Sequence, residues 1–245
     1  MKIIADYHTH TIFSCGKKDT RRHAKGTIEE NIISAIEKGI ETIGISEHGF
    51  DHYTYGLSNK NFEIEYNMIQ EFREKYPQIN ILMGMECNIL DDKGNIDMKK
   101  EYIDKFDYIL AGYHFGTKIK GLKGLLHTMD NYIFGGVFSR KYNTKCIVNA
   151  MKKNKILYIS HPGDKGRVDI MEIAKVAEQT GTGLEINGYH DRLSAEMIKK
   201  IKHMDINFYI GSDAHSPRKI GNFDLAYKII EESGLDWNKV VNVKK

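Results

Sequence analysis

Short apolar runs in this chain end, again and again, in a histidine or an acid. Ile3-Ile4-Ala5 leads into Asp6-Tyr7-His8-Thr9-His10, and Glu41 to Ile45 leads into Ser46-Glu47-His48. Asn80 to Met83 reaches Gly84-Met85-Glu86-Cys87, and Tyr108 to Ala111 reaches Gly112-Tyr113-His114. Ile156 to Ile159 reaches Ser160-His161-Pro162-Gly163, and Asn207 to Ile210 reaches Gly211-Ser212-Asp213-Ala214-His215. Each run predicts a strand. Residues i and i+2 of a strand share a face, so His8 projects with His10 and Asp213 with His215. One histidine before a loop is ordinary polar surface. The same residue types at successive strand ends restrict how the strands can be arranged.

Helical patterns fill the gaps. Thr27-Ile28-Glu29-Glu30 is a capping box, followed by a stripe of Ile28, Ile32, Ala35 and Ile36 and a stop at Gly39. Further helices are predicted over Phe62–Lys75, Met98–Lys105, Thr144–Lys152, Asp169 (a second capping box with Glu172) to Gly181, Ser194–His203 and Phe223–Glu232. Gly183–Ile186, ending at Asn187-Gly188, supplies a seventh strand. Strict alternation implies parallel strands with right-handed crossovers. An open sheet would gather strand ends only near its switch point. A closed ring brings them all to one mouth, so the expected fold is an α/β, TIM-like barrel of seven β/α units forming one domain over residues 1–245. Catalytic groups of such barrels sit at the carboxyl ends of the strands.

Composition narrows the setting. The net charge of +3 comes from dispersed lysines, and no stable nucleic-acid complex is expected. Three cysteines, Cys15, Cys87 and Cys146, have no C-x-x-C spacing and fit a reducing compartment. The apolar start before Asp6 is too short for a signal peptide, and no run reaches membrane-spanning length. A cytoplasmic protein is expected.

The collected strand-end residues are His8, His10, His48, Glu86, His114, His161, Asp213 and His215. Imidazole and carboxylate without thiolate suit Zn, Mn or Fe. There are more ligands than one ion can use, so two or three divalent ions are implied, with Glu86 as the natural bridge.

These motifs, in this order across nearly the whole chain, resemble the polymerase and histidinol phosphatase (PHP) metallophosphoesterases. The resemblance implies a distorted seven-stranded (β/α) barrel and a trinuclear centre. One ion would use His8, His10, Glu86 and Asp213, and a second Glu86, His114 and His161. The third would use His48, His215 and a histidine from the loop after the first motif. The family places that last ligand within a few residues of His10, whereas here Gly16 to Arg22 intervene. His23, in His23-Ala24-Lys25-Gly26-Thr27, takes the role; the alternative is an exposed histidine in a basic loop.

Two close ions sharing Glu86 lower the pKa of a bridging water, and the resulting hydroxide attacks phosphorus in line. Glu86, Asp213 and His215 are therefore the expected catalytic residues. Arg192 resembles a family phosphate-contacting position. Lys165, Arg167 and Arg218 follow other strand ends and are further candidates for phosphate contact, as is Asn187. Asp6 is expected to orient His8, and His190 to line the pocket. The long segment from Phe115 to Lys141 either covers the substrate, with Lys118, Lys120, Lys123, Arg140, Lys141, Tyr132, Phe134 and Phe138, or forms a helical excursion on the rim. The expected activity is hydrolysis of a small phosphate monoester. Alternatives are a histidinol phosphatase, a phosphodiesterase acting on oligonucleotides or nucleotides, and an amidohydrolase-type metal hydrolase. The last usually has eight strands and a strand-end carboxylated lysine, and no such lysine is evident.

Overall fold

The computed structural model describes residues 1–16, 23–118 and 121–244. A two-residue strand, β1 (Lys2–Ile3), precedes seven parallel strands that follow one another around a nearly closed barrel. These are β2 (Ala5–Thr9), β3 (Thr42–His48), β4 (Asn80–Asn88), β5 (Tyr108–Gly112), β6 (Tyr158–Ile159), β7 (Gly183–Asn187) and β8 (Phe208–Gly211). The expected distorted (β/α)7 barrel is the observed one. Its helices are α1 (Ile28–Glu37), α2 (Asn59–Lys75), α3 (Gly121–Phe134), α4 (Arg140–Lys153), α5 (Ile170–Thr180), α6 (Ala195–Ile201) and α7 (Asp224–Ser233). Among the described residues, no helix is long and apolar enough to cross a membrane.

The seam between β2 and β8 is closed at both ends by different means. At the mouth, His10 N–H donates to Ala214 O at 2.9 Å and Ala214 N–H to His8 O at 3.2 Å. At the base, the Asn242 side chain donates to Ala5 O (2.6 Å) and Ile210 O (2.7 Å) and accepts from Ile210 N–H (3.0 Å). One carboxamide thus replaces missing ladder bonds. Asn242 is held there by β9 (Val243–Lys244), which pairs antiparallel with β1. This clasp lies beyond the last helix expected from the sequence and has no counterpart among the predicted elements.

Inside the base of the barrel, Tyr108, Leu110, Tyr158 and Tyr209 are buried, with Tyr7 and Leu82 packed against them. Tyr108 fits because its neighbours are glycines: a Cβ on Gly44 would lie 2.0 Å from its hydroxyl, and one on Gly84 2.2 Å from its ring. That hydroxyl donates to Tyr7 O at 2.6 Å. The tyrosines form a floor, and above it the interior turns polar.

Three local expectations change. Strand β4 does not end at Met83 but continues to Asn88, pairing Glu86 with His48 on one side and Leu110 on the other. Glu86 is therefore flanked by backbone on both sides and wholly buried. The cap at Asp169 is only half a box. Its carboxylate accepts from Met171 and Glu172 N–H, but its own N–H goes to Thr144 Oγ1 (2.8 Å), not to Glu172. The stretch expected near Met98 as a helix is a 3-10 turn, Lys100–Lys105. The 115–141 segment takes the helical alternative, as α3; Lys120 lies outside the described residues.

Candidate metal centre

The mouth of the barrel is built around Glu86. Its Oε1 lies 2.9 Å from His161 Nε2, 3.2 Å from His114 Nε2 and 3.3 Å from His8 Nε2. Its Oε2 lies 3.0 Å from His48 Nδ1 and 3.7 Å from His10 Nε2. Asp213 forms a second focus, with Oδ1 3.4 Å from His10 Nε2 and 3.5 Å from both His8 Nε2 and His215 Nδ1. Two ligands about 2.1 Å from one ion stand roughly 3 to 3.4 Å apart, so these separations match shared coordination.

Four trios of ligand atoms converge to within 4.8 Å: His8, His10 and Asp213; His8, Glu86 and His161; His48, Glu86 and His114; His10, His48 and His215. His23 lies just outside the last. Its ring centroid is 4.3 Å from His215 and 5.4 Å from His48, and it stacks on Tyr55 at 3.9 Å. The residues after β2 return it to the mouth through His23 N–H to Ser14 O (2.9 Å) and Ile12 N–H to Gly26 O (2.9 Å). All nine histidines and acids expected as ligands thus meet in one place.

Orphaned polar atoms test the fit to metal. His10 and His48 have both ring nitrogens buried without a hydrogen bond, as do His8 Nε2, His114 Nε2, His161 Nδ1, His215 Nε2 and Glu86 Oε2. Leaving so many buried acceptors unmade is costly unless something else satisfies them. Cations do. The electrostatics agree. Burial pushes the Glu86 carboxyl up, but the imidazoles, His114 and His8 foremost, outweigh it and hold it well below the usual range. Asp213 is depressed in the same way against its own burial, chiefly by His8. Burial and neighbouring imidazoles lower His10 far below its ordinary value and His23 to about 3. Burial is also the main cause that lowers His114, to about 4. Burial would lower His8 and His161 as well, but the carboxylates beside them, Glu185 for His8 and Glu86 for His161, outweigh it and raise both, so these two would release a proton on taking the neutral form that binds an ion.

The backbone is strained where the site needs it. Among the described residues, His161 (φ 26°) and Asp213 (φ 51°) are the non-glycine residues at positive φ. Such conformations persist only where surrounding contacts enforce them.

Much of that enforcement comes from Glu185 on β7. Its Oε1 lies 2.7 Å from His8 Nδ1, while Oε2 accepts from His161 N–H (2.7 Å) and Asn187 Nδ2 (2.9 Å). One buried carboxylate thereby turns His8 Nε2 toward the centre and holds the strained His161 backbone. His114 is set by a longer relay. Its Nδ1 lies 2.8 Å from Asn88 Oδ1, and Asp97 accepts from Asn88 N–H (2.7 Å) and Nδ2 (2.5 Å). Partners of this kind fix tautomer and ring orientation. None of the three is among the residues expected in this role from the sequence. A signal for Glu185 was present, since an acid two residues before Asn187 shares its face within an otherwise apolar predicted strand.

Asp6 does not orient His8 through its ring. A register slip between Asp6 and Thr9 breaks the two-residue alternation. The Asp6 oxygens accept instead from the backbone amides of Ser212 (3.0 Å), Gly221 (3.0 Å) and His8 (3.4 Å).

The expected phosphate contacts divide. Lys165 lines the cavity of about 220 Å3 over the centre, with Phe115, His52 and Tyr55, and is paired with Asp164. His190 lies there too, between Asp213 Oδ2 (3.4 Å) and Asp164 Oδ1 (3.0 Å). Burial alone would lower it, but these two acids raise it to about 9. Asn187 faces the site, yet its carboxamide is engaged by Glu185 and by the amides of Tyr189 and His190. Arg192 is exposed and lines neither cavity at the mouth, because Leu193 beside it takes the buried position. Arg167 is also exposed, and its backbone is bound to Gly135 and Asn143. Arg218 faces a separate hollow against α1.

A (β/α)7 barrel whose mouth gathers imidazoles around buried acids has the frame of a metal-dependent hydrolase. The chain belongs to the PHP domain family, whose sequence profile matches residues 6–215. It is 30% identical to a "probable phosphatase" of Thermoanaerobacter sp. (strain X514), covering 99% of this chain and 91% of that protein. It is 27% identical to another of Acetivibrio thermocellus, covering 99% and 92%. Among solved structures, histidinol phosphate phosphatase from Lactococcus lactis, determined with zinc, L-histidinol and phosphate, shares the fold. The TM-score is 0.64 at 14% identity, over 96% of this chain and 95% of that one.

Proposed function

We propose that this protein is a metal-dependent phosphatase that hydrolyses a small phosphate monoester at a trinuclear centre. The observation that carries this reading is Glu86, ionised and buried among five imidazoles, in a chain whose relatives are named as probable phosphatases. His8, His10, Glu86 and Asp213 would hold one ion, Glu86, His114 and His161 a second, and His48, His215 and His23 a third. When bound, such ions supply hydroxide near neutral pH and neutralise charge on the phosphoryl oxygens.

The chain's own groups do the rest. Glu86 joins the ligand sets and fixes their spacing, and Glu185 keeps His8 Nε2 and the His161 backbone in place. Lys165 and His190 stand at the cavity wall, where cations orient a phosphoryl group. The tyrosine floor packs the barrel beneath, and the cavities that reach the centre lie at the mouth.

The test uses protein stripped of metal, then reconstituted with Mn or Zn, with bound metal measured per chain. Phosphate release should follow from one or more monoesters in a panel containing histidinol phosphate, nucleoside monophosphates and phenyl phosphate. It should cease on chelation. Three ions per chain are expected at saturation. A fully loaded protein that releases phosphate from no monoester, while cleaving a diester or an amide, would overturn the reading in favour of those activities.

A further inference from the structure

We propose that the substrate carries a second anionic group, received by Lys25 and Lys219 in a cavity beside the metal centre. This rests on the phosphatase reading and names its substrate class. A hollow of about 480 Å3 continues from the centre, sharing His23, Lys165, His190, Asp213 and His215 with the cavity above the ligands. Beyond those shared residues it is lined by Lys25, Lys219, Tyr189, Ser212, Ser216 and Asn222. Among the described residues, that added wall has two cations, hydrogen-bonding groups and no carboxylate.

The two lysines differ from ordinary surface charge in how they are carried. Lys25 N–H donates to His215 O at 3.0 Å, so its backbone is tied to the motif that supplies an expected ligand. Lys219 ends a 3-10 turn, Pro217–Lys219, whose carbonyls are fastened from α1. Ser34 Oγ donates to Pro217 O (2.6 Å), and Lys38 Nζ donates to Arg218 O (2.8 Å) and Ile220 O (2.5 Å). Both exposed ammonium groups therefore stand on pinned backbone, so that only their side chains remain to be ordered when an anion binds.

Their charges are also unspent. Lys165 has Asp164 as its partner, but among the described residues neither Lys25 nor Lys219 has an ion pair or side-chain hydrogen bond. A phosphoryl group at the centre has ions and Lys165 to neutralise it. A carboxylate or second phosphate on the organic part would find these two cations in the adjoining space. A neutral alcohol would leave them solvated and gain nothing from them.

The test compares matched substrates with metal-loaded enzyme: phenyl phosphate with 4-carboxyphenyl phosphate, and fructose 6-phosphate with fructose 1,6-bisphosphate. In one pair or both, the member with the second anion should have at least about tenfold higher kcat/KM, the scale of one charge-assisted hydrogen bond. Lys25→Met and Lys219→Met should each collapse that ratio toward one, mainly through KM, and salt should weaken it. Equal kcat/KM within both pairs overturns the proposal, as does a ratio that survives both substitutions while the two members fall together. Should no probe turn over, the phosphatase reading fails on its own. The same contrast in binding affinity, read by calorimetry on the loaded protein, then decides whether the anion subsite exists.

Discussion

The barrel mouth and the arm formed by α3 lie side by side and are built by opposite rules. At the mouth, side chains are buried, polar and mutually positioned, with carboxylates on β4 and β7 holding histidines from four other strands or strand ends. On the arm, the large side chains face outward: Tyr132 is 77% exposed, Phe138 79%, and Leu122, Leu126 and Phe134 are exposed with them. Only Asn131 of α3 is buried, in a reciprocal amide pair with Asn143 (2.9 and 2.7 Å). The mouth spends its residues on geometry, and the arm is attached by a few polar pins. Changes at the mouth should therefore propagate, and changes on the arm should stay local.

Glu86→Gln is the severest break. The substitution keeps shape but removes the charge on which five imidazoles converge. Turnover should fall by about a thousandfold or more, bound metal per chain should drop, and the circular-dichroism spectrum should remain native. Near-normal turnover with full metal content would show that Glu86 is not the bridge.

A second test reads the cost of building the mouth. Asp97 accepts from Asn88 and from Asp51 N–H, and burial, its largest influence, pushes its carboxyl up to about 6. That lies above the unfolded value of about 3.9, so between those pH values the native state keeps a proton that the unfolded chain has lost. Stability from this group is full below the window and is lost as pH rises through it, by on the order of 3 kcal/mol for two pKa units. Asp97→Asn removes the titration. With metal chelated, urea midpoints at about pH 4.5 and about pH 6.5 should differ less in the variant than in wild type. The same difference in both proteins would place that pH dependence elsewhere.

Glu185 gives the third. Glu185→Ala should weaken metal binding by roughly 10- to 100-fold, the usual effect of losing a partner that orients a ligand. Glu185→Gln should recover part of it, since its carbonyl can still accept from His8. Equilibrium dialysis against Zn or Mn reads this without recourse to activity. Equal affinities in wild type and Glu185→Ala would leave His8 and His161 positioned by packing alone.

The same contrast governs what could be read before the fold was known. Ligand types and strand ends are local signals, so His8, His10, Glu86 and Asp213 stood out at once, and alternation joined to ligand residues at so many strand ends was enough to predict the barrel over an open sheet. Glu185, Asn88 and Asp97 act across strands, and their partners are 177, 26 and 9 residues away. An acid in an apolar strand could flag Glu185, but no local pattern names its partners or marks Asn88 and Asp97. Asn88 was further hidden because the strand was expected to stop at Met83, short of its actual end. Arg192 is the converse case: it lies in the expected segment, but its side chain is exposed and lines neither cavity at the mouth, and sequence position alone does not say which way a side chain leaves a turn.

The arm supplies the smallest expected effect. Tyr132 touches Phe115 at 5.6 Å between ring centroids, and Phe115 borders the cavity over the centre, yet Tyr132 is itself largely in solvent. Phe138→Ser and Tyr132→Ser remove apolar surface that is already hydrated, so each should change unfolding free energy by no more than about 0.5 kcal/mol. Phenyl phosphate is too small to span from the metal centre to exposed α3, so its kcat/KM should stay within about twofold in Phe138→Ser. Tyr132→Ser is the sharper probe, because it loosens the Phe115 contact: a rise in KM confined to substrates with bulky organic groups would join the arm to the mouth. A loss of several kcal/mol in either variant would mean instead that this face is covered in the folded protein, and the division between an enforced mouth and a free arm would have to be redrawn.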